Sequence, residues 1–265
     1  MPEAFSDGCS IYYAVDGPVD GPPLLLSNSL GTPMALWDRV LPGLTGRFRV
    51  IRYDQRGHGR SDHPDGEYSI EGLGQDALAV LDDAGVSQAH VAGVSLGGMT
   101  ALWLGINAPH RVGRLVLANT GAQIGTADSW DTRIAAVRAE GMTAITELLL
   151  GRWFTSAFRV AEPALTGDFR SMLAACSVAG YTGCAAAVRD ADLRDGLTRI
   201  RAATLVIVGA DDVATPPSLG EALRDTIAGA SLVSLPAAHL SNVERPGEFT
   251  KAVVRFLDPS ELSHG

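Results

Sequence analysis

Lysine is almost missing from this chain of 265 residues: of its 21 basic residues, all but Lys251 are arginine. Lys251 falls in a C-terminal helical run, so neither a phosphate-cradling P-loop lysine nor a Schiff-base lysine is in place. Cysteine is scarce too. Cys9, Cys176 and Cys184 are an odd number without metal-type spacing, which argues against a disulfide framework and a zinc site. No apolar run reaches the roughly 18 residues of a membrane span. A basic excess is also lacking: the net charge is −9 and the pI about 5.1, which speaks against nucleic acid and anionic membrane surfaces as partners. An anionic small molecule would therefore need a local cationic anchor. The opening Met1–Asp7 stretch is short and acidic, unlike a secretory leader, and a reducing cytoplasm is the expected location.

What is present supports a sizeable core, with 46% hydrophobic and 19% charged residues. One large α/β domain with an insertion fits this length. Cys9 to Val15 reads as an edge strand, turned by Asp16-Gly17-Pro18, and Leu24 to Ser27 as a buried strand. A short helix is expected around Leu36 to Leu41, a strand at Arg49 to Asp54, and a helix from Ser69 to Ala84 with apolar Leu73, Ala77, Val80 and Leu81 on one face. Strands follow at Ala89–Val94, Arg114–Asn119, Thr204–Ala210 and Ser231–Leu235, with helices at Leu96–Ala108 and Pro217–Ala228. Alternating strands and helices imply a parallel, doubly wound sheet. Residues 121–203 break the pattern. They are alanine-rich, helical and too long for a loop, and they carry Trp130, Trp153, Phe154, Phe158 and Phe169. A helical cap over a core of 1–120 and 204–265 is expected. The alternative is a set of helices that merely packs on the core.

Chemistry is concentrated in Gly93-Val94-Ser95-Leu96-Gly97, a G-x-S-x-G between a strand and a helix. That context suits a nucleophile elbow, in which a sharp turn presents the serine hydroxyl above the strand ends. The Leu96 N–H points into the same space and is a candidate oxyanion donor. A serine needs a base, and the base an orienting acid. Asp211 and Asp212 follow the strand at Thr204, and His239 follows the strand at Ser231, so the chain order is Ser, Asp, His. Either aspartate is available for the acid role. His58, His63, His90, His110 and His264 read as structural or solvated, and the Asp54-Gln-Arg-Gly-His-Gly59 stretch as a structural turn. Gly57-x-Gly59 lacks the third glycine of a dinucleotide fingerprint.

Over essentially its full length the chain resembles the α/β-hydrolase superfamily, and within it the 3-oxoadipate enol-lactonases. The stretches that carry the resemblance are Ser27-Asn-Ser-Leu-Gly-Thr with Met34 and Trp37, Tyr53-Asp-Gln-Arg-Gly-His-Gly-Arg-Ser, Gly93-Val-Ser-Leu-Gly-Gly-Met, Gly183-Cys-Ala-Ala-Ala-Val-Arg-Asp-Ala-Asp-Leu-Arg and Ala238-His-Leu-Ser-Asn-Val-Glu. The resemblance implies an α/β-hydrolase fold with an inserted helical cap. It also implies a triad of Ser95, Asp212 and His239, with Asp212 favoured by the Gly209-x-x-Asp212-x-x-Thr215-Pro216 spacing. A second oxyanion donor is implied at the Leu30 N–H. The implied reaction is opening of a small anionic enol-lactone to 3-oxoadipate in aromatic-compound catabolism, with no metal or organic cofactor. The substrate's carboxylate would call for an arginine; Arg133 and Arg189 are candidates, each otherwise a surface residue or a structural ion pair, and Trp130 and Trp153 either close the pocket or pack the cap on the core. A haloperoxidase-like esterase or a slow ligand sensor on the same scaffold would share the triad. Oligomeric state is left open.

Overall fold

The computed structural model describes residues 2–258; His264 lies outside the described residues. An eight-stranded sheet forms its centre. The strands are β1 (Glu3–Ser6), β2 (Cys9–Asp16), β3 (Pro23–Ser27), β4 (Arg49–Tyr53), β5 (Ala89–Val94), β6 (Val112–Ala118), β7 (Ala203–Gly209) and β8 (Ser231–Leu235), in the order β1-β2-β4-β3-β5-β6-β7-β8. The β1–β2 and β2–β4 pairs are antiparallel and the others parallel. The central strands are apolar on both faces because helices cover both.

The helices of the sheet layers are α1 (Leu41–Thr45), α2 (Ile70–Asp83), α3 (Leu96–Asn107), α9 (Pro217–Thr226) and α11 (Pro246–Leu257). From β3 the chain steps to β4 on one side, then across to β5 and onward in the other direction. Right-handed crossovers then put α1 on one face and α2, α3 and α9 on the other. Helix α11 packs beside α1. The reversal at β3 opens a crevice at the C-terminal ends of β3 and β5, where open α/β sheets hold their ligands. Helix α3 is buried nearly all round because it lies between the sheet and α2.

Between β6 and β7 run α4 (Ala127–Glu140), α5 (Thr143–Trp153), α6 (Ser156–Ala161), α7 (Pro163–Ala174) and α8 (Val178–Asp190). Their starts are set by local polar chemistry. Thr126 and Ser129 form a reciprocal capping box on α4, and Thr155 and Ser177 cap α6 and α8. A short helix α10 (Ser241–Glu244) follows β8.

Two local expectations are corrected. The strand from Cys9 is not at the edge, because β1 folds back over it as a hairpin with Glu3 opposite Tyr12. The helix expected around Leu36 to Leu41 is two pieces, a 3-10 turn at Met34–Trp37 and then α1. Proline divides them: Pro33 precedes the first, and Pro42 enters the first turn of the second, where its missing N–H costs nothing.

Candidate active site

Ser95 stands between β5 and α3 with φ 57° and ψ −116°, outside the regions ordinary residues favour. Two hydrogen bonds help hold that turn. Its N–H donates to the Ala118 carbonyl at 3.0 Å, and its own carbonyl accepts the Thr120 hydroxyl at 2.7 Å. Glycine is obligatory on both sides because backbone crowds backbone. A Cβ on Gly93 would lie 2.1 Å from the Gly97 oxygen, and one on Gly97 would lie 2.1 Å from the Ser27 oxygen. The turn that exposes the hydroxyl therefore also wedges the start of α3 against the end of β3.

His239 follows β8 and Asp212 follows β7, and both are buried. His239 Nδ1 is 2.9 Å from Asp212 Oδ2. The same oxygen accepts Asn119 Nδ2 at 3.0 Å and the Thr215 hydroxyl at 2.7 Å, while Oδ1 accepts the N–H groups of Ala214 and Thr215 at 2.8 and 2.9 Å. Burial alone would raise the Asp212 pKa. The His239 charge and hydrogen bond, with the Thr215 donors, outweigh it and hold the carboxyl down at about 2. The Thr215 hydroxyl spends its proton on Asp212 and turns a lone pair to Nδ1, 3.1 Å away. That network assigns the ring proton to Nδ1 and leaves Nε2 bare, the tautomer a general base requires. Asp211, the competing aspartate, is exposed.

The loop after β3 is pinned from the loop after β4. Asn28 donates to the Tyr53 carbonyl at 2.7 Å and accepts Trp37 Nε1 at 2.8 Å. The Ser29 carbonyl accepts the Thr32 N–H at 3.2 Å, the Thr32 hydroxyl at 2.8 Å and Gln55 Nε2 at 3.4 Å. A trans peptide is planar, so turning the Ser29 carbonyl towards these donors turns the Leu30 N–H the opposite way. Neither the Leu30 N–H nor the Leu96 N–H, the first amide of α3, has an acceptor among the described residues.

One cavity takes in Ser29, Leu30, Ser95 and His239 together with Trp130, Arg133, Leu149, Arg152, Trp153 and Tyr181 from the helices between β6 and β7. Arg133 stacks over Trp130 at 4.4 Å, and Trp130 Nε1 donates to the Ile124 carbonyl at 2.6 Å. Neither Arg133 nor Arg152 pairs with a carboxylate among the described residues. Burial lowers the Arg152 pKa, and the like charge of Arg133 adds to the effect. Tyr181 is fully buried, and burial raises its pKa while the neighbouring Arg133 and Arg152 guanidinium groups oppose the rise.

Arg189 is a correction. It does not line the cavity, because Asp190, Glu67 and Asp131 engage its guanidinium at 2.7–3.0 Å outside it. Arg152, Tyr181, Asn119 and the side chain of Thr215 were not singled out from sequence. Asn119 had one local signal, its place immediately after β6. Among the described residues, no three His, Cys, Asp or Glu side chains converge as metal ligands, and no helix is long and apolar enough to cross a membrane.

A family model of the alpha/beta hydrolase fold matches residues 22–246. The 3-oxoadipate enol-lactonase 2 of Acinetobacter baylyi is 41% identical over 92% of this chain and 91% of its own length. The crystal structure of the enol-lactonase from Burkholderia xenovorans superposes with a TM-score of 0.95 at 40% identity, covering 97% of this chain and 99% of that one. A hydrolase from Pseudomonas aeruginosa superposes with a TM-score of 0.93 at 51% identity, covering 96% and 97%.

Proposed function

The chain belongs to the alpha/beta hydrolase fold family, and from that footing we propose that it is a serine hydrolase that opens 3-oxoadipate enol-lactone through an acyl-enzyme on Ser95. The observation that carries the substrate class is the cavity's charge. Ser95 and His239 share it with Arg133 and Arg152, two guanidinium groups without a carboxylate partner among the described residues. In a protein of net charge −9 such a pocket suits an ester that bears its own carboxylate. The likeness to the two enol-lactonases supports the same substrate.

In this reading Nε2 of His239 takes the Ser95 proton as the hydroxyl attacks the lactone carbonyl, and Asp212 stabilises the resulting imidazolium. The Leu30 and Leu96 N–H groups hold the oxyanion. The ring C–O bond breaks, His239 returns the proton to the departing enol oxygen, and the enol becomes a ketone on the same molecule. That tautomerisation opposes re-closure. Water deprotonated by His239 then releases the acyl group as a carboxylate. Residues 121–203 act as a cap over a core of 1–120 and 204–265, with Trp130 and Trp153 closing the pocket. The physiological setting that fits is the β-ketoadipate pathway of aromatic catabolism in the cytoplasm.

The test compares the enol-lactone with its neutral methyl ester. The acid is expected to be the better substrate. Arg133→Ala or Arg152→Ala is expected to raise its KM about 10- to 100-fold, the worth of one charge-assisted hydrogen bond, and to leave the methyl ester unaffected. Equal kcat/KM for acid and methyl ester would make the protein a general esterase instead.

A further inference from the structure

His58 is buried in the turn after β4 with both ring nitrogens engaged. Its Nε2 lies 2.8 Å from the Gly31 N–H, and its Nδ1 lies 3.2 Å from the Arg56 carbonyl. An amide N–H only donates and a carbonyl only accepts, so the proton sits on Nδ1 and Nε2 accepts. Burial keeps the ring neutral by lowering its pKa to about 4. The Leu30 N–H belongs to the peptide unit just before the one that His58 holds. The Ser29–Leu30 unit is fixed at its carbonyl by Thr32 and Gln55, and the Leu30–Gly31 unit at its N–H by His58. Both planes that flank Leu30 are thereby fixed.

The opposite side of this loop is closed by α7 and α8. Gly31 faces Leu173 and the Tyr181 ring, so that a Cβ there would meet them at 3.2 and 3.4 Å. Gly57 and Gly180 meet backbone to backbone, and a Cβ on Gly180 would lie 1.9 Å from the Gly57 oxygen. Cys184 Sγ reaches the Arg56 carbonyl at 3.5 Å. The Gly31 amide is thus held between a histidine of the sheet layer and a helix that also lines the Ser95 cavity.

We propose that His58 is a positioning residue: by accepting the Gly31 N–H at Nε2 it sets the direction of the Leu30 N–H at the oxyanion site. This rests on the proposed reading of the site as a serine hydrolase, with Ser95 as nucleophile and the Leu30 N–H as an oxyanion donor. It assigns a reaction-directed role to a residue that makes no contact with the reacting atoms.

Two substitutions separate the ring's two bonds. His58→Asn keeps a donor near the Arg56 carbonyl but cannot reach Gly31, whereas His58→Gln places an acceptor near the former Nε2. With p-nitrophenyl acetate, a small neutral ester with a good leaving group, His58→Asn is expected to lower kcat about 10- to 100-fold with KM within about twofold. His58→Gln is expected to recover most of that loss. If His58→Asn does not fold, His58→Leu, which has no acceptor atom, takes its place as the partner of His58→Gln. The proposal is overturned if the acceptor-free variant keeps kcat within about threefold of wild type, or if it and His58→Gln lose kcat equally. Failure of the underlying reading has a different signature: Ser95→Ala would leave the esterase rate unchanged.

Discussion

His58 is neutral in the fold and titratable outside it, so it makes stability depend on pH in a way that can be worked out. Burial depresses its pKa from the usual 6.5 to about 4, the Arg56 carbonyl opposes the shift through its hydrogen bond, and the charge of His63 adds to it. A depressed histidine favours the folded state above its unfolded pKa. That advantage is lost as pH falls from about 6.5 towards 4, where the unfolded chain binds a proton that the folded chain refuses. At pH 5.0 the unfolded ring is almost wholly protonated and the folded ring only about a tenth, which costs the fold about 2 kcal/mol relative to pH 7.5. The perturbation is His58→Gln, which keeps an acceptor for Gly31 and cannot titrate. Urea denaturation of wild type and variant at the two pH values provides the assay. The stability difference between them should shift by about 2 kcal/mol in favour of the variant on going to pH 5.0. Other titrating groups are common to both proteins and largely cancel. Parallel pH profiles, within about 0.5 kcal/mol, would refute the claim that a neutral, desolvated ring sits there.

The elbow and the acid are testable in the same way. Gly97→Ala puts a methyl group 2.1 Å from the Ser27 oxygen. Because both sides of that contact are backbone, the variant should lose about 3 kcal/mol in urea denaturation, at the upper end of overpacking costs, and most of its kcat. A loss below about 1 kcal/mol would show that the strand–helix wedge relaxes freely. Asp212→Asn removes the charge that Nδ1–H faces and offers an amide donor in its place, which favours the tautomer with the proton on Nε2. Steady-state kcat should fall by about 10⁴; a fall of less than tenfold would separate Asp212 from catalysis.

The parts of this molecule legible in its sequence are those decided by local chemistry. The elbow was readable because a strand, two glycines and a serine occur within nine residues, Ala89 to Gly97, and close packing at Gly93 and Gly97 is what the turn demands. The strands β3, β5, β6 and β7 were readable because burial on both faces writes a continuous apolar run. Strand β1 was not: four residues of mixed polarity at the start of the chain become a strand only by pairing with β2. The cavity wall was legible only in part. Arg133 was a candidate because it lies near Trp130 in the chain, and it stacks over that ring. Arg152 and Tyr181 come from α5 and α8 and meet the others only through tertiary packing. Arg189 was a candidate because its Arg-Asp-Ala-Asp stretch is family-like, and a likeness of sequence does not fix how far along a helix a side chain stands. Arg189 lies eight residues after Tyr181, about 12 Å further along α8, where carboxylates were waiting. His58 looked like a turn residue and is one; what the turn braces is visible only when the loop after β3 is folded against it.

The central claim is that Ser95 opens an anionic enol-lactone. Its most direct test is the loss of enol-lactone absorbance in steady state, with wild type and Ser95→Ala side by side. The account predicts rapid turnover by the wild type and a fall of about 10⁴ or more in kcat for the variant. No turnover by the wild type, or turnover that survives removal of the Ser95 hydroxyl, would contradict it.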